Sequence, residues 1–331
     1  MTDHKQNIIE ILGKLKEKDL AKNEKWKARA YDTVIKQLKN REEPVLSIED
    51  LNGMKGVGEK IRLKIDEIIK TGTLDKINDV DEQTGIVMEL SKIFGIGPIR
   101  AKEFYDKHNI KSIEDLQSKP ELLNDKQKIG LKYYLDFEQK IPYAEMKKHD
   151  TFIHKIIESI NPKLKMEVVG SYRRKASSSG DIDVIITFDG DSDNQEQDQD
   201  YTLKTIVDKF KKETYLKDDL ALGTHKYLGV CKLPRHKRFR RIDLLYTKKE
   251  EYPFALLYFT GSMSLNVLMR NKAISMGYSL SEYGLKYISG PNKGEFVKEP
   301  FEEEKDIFAF LGMRYIEPTK RNTNNIDEFL I

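Results

Sequence analysis

The hydrophobic period of this chain changes near residue 165, and the change confines it to a helical first part joined to a mixed second part. Upstream, "NIIEILGKLKEKDLAKN", "WKARAYDTVIKQLKN", "EKIRLKIDEIIKTG" and "GPIRAKEFYDKHNI" set apolar residues three or four apart, the spacing of helices with one buried face. Ser47 and Ser112 stand where helix caps are expected. Downstream, "KMEVVG", "DIDVIITF" and "RRIDLLYTK" alternate or run apolar, which predicts strands. "FALLYFTGSMSLNVLMRNKAISMG" then predicts a helix, a glycine turn and a second helix, and "EKDIFAFLGM" a short late helix. The expected fold class is α+β. With 331 residues and 38% hydrophobic content the chain can build a real core, and its length suggests two or three domains.

Charge is informative by its placement. Lys+Arg 58 against Asp+Glu 55 leaves a net charge of only +3, yet the first 70 residues are dense in lysine. A basic amino-terminal part suggests a phosphate-bearing partner. The acidic run "DGDSDNQEQDQD" at 189–200 has no apolar anchor and reads as a mobile surface loop. One cysteine, Cys231, excludes an intrachain disulfide and a multi-cysteine zinc site, which fits a reducing compartment. The six histidines show no metal-ligand spacing, no apolar run approaches the ~20 residues of a membrane span, and the amino terminus lacks a secretory pattern. A soluble, intracellular protein is expected.

The helical part contains a repeat. "MKGVGEKIRLKIDEII" and "IFGIGPIRAKEFYDKH" share an apolar residue, then Gly-apolar-Gly, then a helix, with Gly56 and Gly58 in one turn and Gly95 and Gly97 in the other. Such glycines let backbone approach a partner closely, and the following helix offers free N–H groups and its positive dipole end to an anion. Pro98 fits the first turn of its helix, where a missing donor costs little. This is a doubled helix-hairpin-helix signature, suited to gripping a sugar-phosphate backbone without reading sequence.

The mixed part opens on "GSYRRKASSSGDIDVIITF". Along a strand alternate residues share a face, so Asp181 and Asp183 point one way while Ile182, Val184 and Ile186 point into the core. Two carboxylates that close repel unless cations lie between them. Hard oxygen ligands suit Mg²⁺. Asp243, the only acid in the predicted strand "RRIDLLY", shares a face with Arg241 and is placed to join the pair across the sheet. Three carboxylates can hold two ions about 3.5–4 Å apart for an in-line phosphoryl transfer. Ahead of them, the N–H groups and hydroxyl of Gly170-Ser171 can hold phosphate oxygens, Arg174 adds a permanent planar charge, and Ser179-Gly180 allows close backbone approach.

This order of elements is similar to that of nucleotidyltransferases, and the wider chain resembles the X family of DNA polymerases, most of all the beta type. "GSYRRKASSSGDIDV", "RRIDL", "LYFTGS", "GVGEKI", "GIGP", "IGLKYY" and "EKDIFAFLGMRYIEP" carry the resemblance over nearly the whole length. It implies a helical lyase-like domain at 1–80, a helical thumb with the second hairpin at 81–141, a catalytic palm at 142–252 and a nucleotide-selection subdomain at 253–331. Asp181 and Asp183 would then bind both ions, Mg²⁺ or Mn²⁺, and Asp243 the ion beside the primer 3′-hydroxyl. Lys140, Ser171, Arg174, Ser179 and Gly180 would hold the triphosphate of an incoming deoxynucleotide. Tyr258, Phe259, Gly261 and Asn266 would lie against that nucleotide, and Arg241 and Arg270 against DNA. Lys64 would form a Schiff base with a 5′-deoxyribose phosphate, in the cationic field of Lys60, Arg62 and Lys76. Carbonyls near Met54, Val57, Ser91, Ile93 and Ile96 would share a monovalent cation, Na⁺ or K⁺, with DNA phosphates. Gapped or nicked DNA, other base excision repair proteins, a monomeric state and a nuclear setting, with a mitochondrial or viral one as alternatives, complete the expectation.

Some positions depart from the beta pattern. Lys140 and Leu245 replace arginines, Met263 and Val267 replace polar or charged groups, and "KNEKWKARAYD" with Trp26 and Arg29 resembles other members of the family more closely. Loss of the arginine at 245, a competitor for a metal-binding aspartate, predicts a site less dependent on closure to assemble. Two other classes share parts of the pattern: a template-independent nucleotidyltransferase, and a DNA-end binder without catalysis.

Overall fold

The computed structural model describes residues 3–21, 24–74, 82–190 and 202–321. Its contacts divide the chain into two units, Met1–Tyr134 and Leu135–Ile331.

In the first unit, helix α1 (Lys5–Ala21) buries Ile8, Ile11, Leu12 and Leu15, one stripe at helical spacing. They meet Tyr31, Val34 and Leu38 of α2 (Lys25–Asn40) and Ile61, Ile65 and Ile68 of α3 (Glu59–Thr71). Helix α3 stops at Gly72, whose φ of 76° lies in the left-handed region open to glycine. A second core containing Leu90, Ile96, Phe104 and Leu116 lies among α4 (Glu82–Leu90), α5 (Pro98–His108), α6 (Ile113–Ser118) and α7 (Asp125–Lys132). Ser112 caps α6 as expected, its Oγ accepting from the Asp115 amide at 3.0 Å. At Ser47 the Asp50 carboxylate accepts from the Leu46 and Ser47 amides, both at 2.8 Å, and opens one turn of 3-10 helix at Ile48–Leu51.

The second unit opens within the short helix α8 (Tyr134–Phe137), followed by β1 (Ile141–Pro142) and the long helix α9 (Tyr143–Ile160). Then come β2 (Leu164–Val168), a single helical turn α10 (Gly170–Arg173), β3 (Ser178–Ser179), β4 (Ile182–Phe188) and α11 (Leu203–Lys212). Strands β5 (Leu216–Leu222), β6 (Lys226–Cys231) and β7 (Arg240–Thr247) complete a five-stranded sheet in the order β2-β4-β7-β6-β5. Among the described residues of this sheet, only β4 and β7 pair in parallel. From β4, Ile182, Val184 and Ile186 enter the main core with residues of α9 and α11, while Ile185 enters a smaller cluster with Val169, Leu245, Tyr252 and Ala255. Burial on both faces explains why this strand reads as an apolar run once Asp183 is passed.

A smaller α/β portion is formed by α12 (Tyr252–Thr260), α13 (Met263–Ser275), the hairpin of β8 (Tyr278–Ser281) and β9 (Gly284–Tyr287), and α14 (Glu304–Phe310). Phe254, Leu257, Leu265, Met269, Leu285, Ile307 and Phe308 form its core. The expected α+β class, with amino-terminal helices and a mixed sheet after residue 165, is what the chain adopts.

Candidate active site

Parallel pairing of β4 and β7 sets Asp183 opposite Asp243, one step beyond the apolar pair Ile182 and Ile242. The two Asp-apolar alternations therefore run in phase, and both acids emerge on one face. Asp181 lies just before β4. The Asp183 carbonyl accepts from the Val169 amide at 2.8 Å, which brings Gly170 up against its side chain. Gly170 has φ +62°, and a Cβ there would stand 2.6 Å from Asp183 Oδ2. Glycine is required twice over, by conformation and by space. Burial first, then the charge of Asp243, pushes the Asp183 carboxyl up to about 6.

Basic side chains partly balance these acids. Arg241 bridges two of them, donating from Nη1 to Asp243 Oδ1 at 2.7 Å and pairing through Nη2 with Asp181. Lys226 Nζ, on β6, lies 3.5 Å from the other Asp243 oxygen. Leu245, two residues after Asp243, is packed in the small apolar cluster, and the arginine that engages the acids precedes Asp243 on the same strand. In this arrangement no group of three or more His, Cys, Asp or Glu among the described residues is gathered tightly enough to hold a metal ion. The donor set nevertheless fits a hard divalent cation, since in-register carboxylates with one pKa raised by burial and like charge favour a cation between them.

Beside the acids, α10 carries Ser171 and leads into Arg174. Ser171 Oγ donates to Ser179 Oγ at 2.9 Å, and the Ala176 amide donates to the Ser171 carbonyl at 3.0 Å, closing the loop on itself. Pairing of Ile141 with Ser179 brings Lys140 to the same place, its Nζ 3.5 Å from where a Cβ on Gly180 would stand. Arg174 Nη1 donates to the Thr260 carbonyl at 2.5 Å, which joins the loop to the end of α12. Arg173 makes a second tie, to Thr260 Oγ1 and Glu304 Oε2, both at 2.8 Å. The structure thus brings Lys140, Ser171, Arg174, Ser179 and Gly180 together.

On α12 and α13, Tyr258 and Phe259 pack edge to face, and the Tyr258 carbonyl accepts from Asn266 Nδ2 at 2.7 Å. The Arg270 guanidinium lies 4.8 Å from the Tyr258 ring centroid. The Gly261–Ser262 peptide is cis. Met263 is 71% exposed and Val267 53%, so α13 presents an apolar edge beside Arg270.

In the first unit the two hairpins have the same backbone. Gly56 and Gly95 have φ of 93° and 85°. Gly58 and Gly97 cap α3 and α5 with φ of −79° and −87° and ψ of 171° in both. The Val57 amide donates to the Met54 carbonyl at 3.1 Å, and the Ile96 amide to the Ile93 carbonyl at 3.0 Å. A glutamine buttresses each turn: Gln37 Nε2 donates to the Lys55 carbonyl and Gln127 Nε2 to the Gly95 carbonyl. Gly130 lies so close to the second turn that a Cβ there would stand 2.2 Å from the Phe94 carbonyl oxygen. Ser91 closes α4, its Oγ donating to the Val87 carbonyl.

A cleft of about 700 Å³ adjoins the first hairpin, lined among others by Trp26, Lys27, Tyr31, Gly58, Lys60 and Lys64. Lys64 Nζ donates to the Tyr31 hydroxyl and lies 4.7 Å from its ring centroid. Lys60 lines the cleft, whereas Arg62 donates to Asn52 Oδ1 at 2.6 Å. Lys76 lies outside the described residues.

Comparison with known families places four matches in chain order. A helix-hairpin-helix domain matches residues 3–74, the fingers domain of DNA polymerase lambda 88–138, the DNA polymerase beta palm 140–249 and the DNA polymerase beta thumb 255–322. The second segment, expected as a thumb, thus matches a fingers domain, and the fourth, expected as a nucleotide-selection subdomain, matches a thumb. The chain is 32% identical to DNA polymerase lambda of Rattus norvegicus over 97% of its length and 57% of that protein's. It is 31% identical to DNA polymerase lambda of Arabidopsis thaliana, covering 97% of the chain and 62% of the relative. A DNA polymerase type-X family protein, pol4, of Schizosaccharomyces pombe is 26% identical, over 96% and 64%. The chain therefore spans about three fifths of the curated relatives it matches. By sequence and architecture it is similar to DNA polymerases of the X family along nearly its whole length. The finer likeness to the beta type does not follow from these relatives, two of which are lambda polymerases; Trp26 and Arg29 fall in the segment that departed from the beta pattern.

Proposed function

We propose that the chain is a template-directed DNA polymerase that fills short gaps during repair, base excision repair in particular, and that its first unit carries a 5′-deoxyribose-phosphate lyase centred on Lys64. The observation that carries the polymerase reading is the in-register pair of Asp183 and Asp243, with Gly170 against one acid and the Ser171–Gly180 loop alongside.

In this reading Asp181, Asp183 and Asp243 hold two divalent ions, Mg²⁺ or Mn²⁺, which when bound supply Lewis-acid activation of the primer 3′-hydroxyl and neutralise charge on the leaving pyrophosphate. Ser171, Arg174 and Lys140 fix the triphosphate, so the α-phosphorus is presented in line with the hydroxyl. Arg241, which bridges Asp181 and Asp243 without substrate, is placed to transfer its guanidinium to a primer phosphate as those carboxylates take up ions. Tyr258, Asn266 and Arg270 form the wall against the nascent base pair, with Met263 and Val267 as its apolar margin. The hairpin turns grip DNA phosphates through backbone, with a monovalent cation shared by their carbonyls. The lambda relatives support this reading at the level of the family.

The test is Mg²⁺-dependent extension of a primer across a one-nucleotide gap with a 5′-phosphate, each deoxynucleotide offered singly. The full chain should add only the complementary nucleotide, and Asp243→Ala should lose at least about a thousandfold in rate. Addition of all four nucleotides regardless of template would favour a template-independent transferase, and no addition a DNA-end binder. For the lyase, borohydride should trap the wild type on DNA bearing a 5′-deoxyribose phosphate, and Lys64→Ala should lose most of that adduct.

A further inference from the structure

Arg240 opens β7 with its side chain turned inward and only 2% exposed, one residue before Arg241 and three before Asp243. Its guanidinium makes three hydrogen bonds to two separate segments. Nε and Nη2 donate to the two Glu145 carboxylate oxygens at 2.7 and 3.0 Å, in the first turn of α9. Nη1 donates to the Gln139 carbonyl at 2.8 Å. The preceding amide, Phe239 N, donates to Asp136 Oδ2 at 3.2 Å. Residues 136–139 are therefore fastened at two points to the start of the strand that bears Asp243.

The fastened segment leads directly into Lys140. Its ammonium lies beside Gly180, and the next two residues pair with Ser178 and Ser179. A planar fork with donors on two edges can span Glu145 and Gln139 at once, which a lysine cannot do. Burial opposes a charge on Glu145, but the Arg240 fork outweighs it and holds that carboxyl below its usual range. His149 does not replace the arginine. Burial holds its imidazole down to about 4, neutral at physiological pH, and its Nδ1 is shared with the Tyr215 hydroxyl at 2.6 Å. A buried ion pair adds little net stability compared with apolar packing, but it specifies register.

We propose that Arg240 is a positioning residue for Lys140: it holds the triphosphate end of the site at a fixed spacing from the strand that carries Arg241 and Asp243. This rests on the reading of the Ser171–Gly180 loop as the triphosphate pocket.

The experiment measures binding of a non-hydrolysable dCTP analogue, opposite a template guanine in a one-nucleotide gap with Mg²⁺, by the full chain. Lys140→Ala should weaken binding about tenfold, the size of one charge-assisted hydrogen bond. Arg240→Lys should weaken it about fivefold, because one of the two segments is released. In the Lys140→Ala background, Arg240→Lys should add less than about twofold, since two changes acting through one contact are not additive. Glu145→Gln, which leaves the bond to Gln139 in place, is the second variant and should show the same dependence on Lys140. Thermal unfolding accompanies each variant to establish that it is folded. A fivefold loss that persists without Lys140 would overturn the positioning role and leave the polymerase reading intact. A wild type that binds no triphosphate would overturn both.

Discussion

The acid site of the second unit and the hairpin turns of the first both offer charge to phosphates in the proposed function, but they do so with different parts of the chain. At the acid site the chemistry resides in side chains: three aspartates, Arg241, Lys226 and the Ser171–Arg174 turn. At the hairpins it resides in peptide groups, and the side chains of Val57 and Ile96 only anchor the turns in their cores. A side-chain site fails when one residue changes. A backbone site tolerates almost any side chain that leaves its dihedral angles and its open surface alone. Gly170 belongs to both kinds, since it contributes no side chain yet decides where the Asp183 carboxylate can lie.

Gly170→Ala should therefore produce the largest effect of any change that leaves every charged group in place. The substitution puts a Cβ in the left-handed region and within 2.6 Å of Asp183 Oδ2, so either the turn or the carboxylate must move. A displacement on the order of 1 Å at a reacting centre costs about a hundredfold in rate. Single-turnover gap filling should show that loss, with binding to gapped DNA unchanged. Rates within a few-fold of wild type would mean that the close approach at Gly170 is incidental.

Asp183→Asn should separate stability from activity. The Asp183 carboxyl is raised from 3.8 to about 6, so the folded state binds its proton more tightly than the unfolded state does. Stability from this group is full at low pH and is lost as pH rises through about 6. Removing the charge should stabilise the metal-free protein by on the order of 3 kcal/mol at pH 7.5 and by about half as much at pH 5, since the loss builds between the unfolded and folded pKa values. Thermal unfolding in a chelator at the two pH values gives both numbers. Gap filling by the same variant should be abolished. In the wild type, the Mg²⁺ concentration for half-maximal rate should rise as pH falls below about 6, because protons then compete for the same oxygens.

The same contrast accounts for how much could be read from sequence. Asp181, Asp183 and Asp243 were legible because strand alternation fixes which face they share, and parallel pairing then put Asp183 level with Asp243. The hairpins were legible because Gly-apolar-Gly leaves few backbone choices. The partners of Arg241 were not, because they depend on which way a long side chain folds across two strands. Lys226 was missed together with its strand, and β5 escaped notice because adjacent Asp218 and Asp219 and two register shifts break its alternation. Thr260 and Glu304, which tie Arg173 and Arg174 to α12 and α14, lie about 90 and 130 residues further on, and no local pattern links them. Gly130 stood within the matching segment "IGLKYY", but its reason, a clash with the Phe94 carbonyl, exists only in three dimensions.

The smallest expected effect tests the backbone half of the comparison most sharply, because it needs two glycines two residues apart to behave differently. Gly56 has φ +93°, and a Cβ there would meet Thr33 Cγ2 at 3.1 Å and Val34 Cγ2 at 3.3 Å. Gly56→Ala should cost on the order of 1–2 kcal/mol of stability through strain and crowding. Gly58 has an extended backbone that any residue adopts, and a Cβ there would meet nothing within 4 Å. Gly58→Ala should change stability by no more than about 0.5 kcal/mol. Its methyl would nonetheless project from the first residue ahead of α3, where a phosphate must approach for the helix amides to reach it. Affinity for gapped DNA should fall a few-fold while thermal unfolding stays in place. If Gly58→Ala binds DNA as tightly as the wild type, the first hairpin does not bring its backbone to phosphate, and Gly58 is there only to begin a helix.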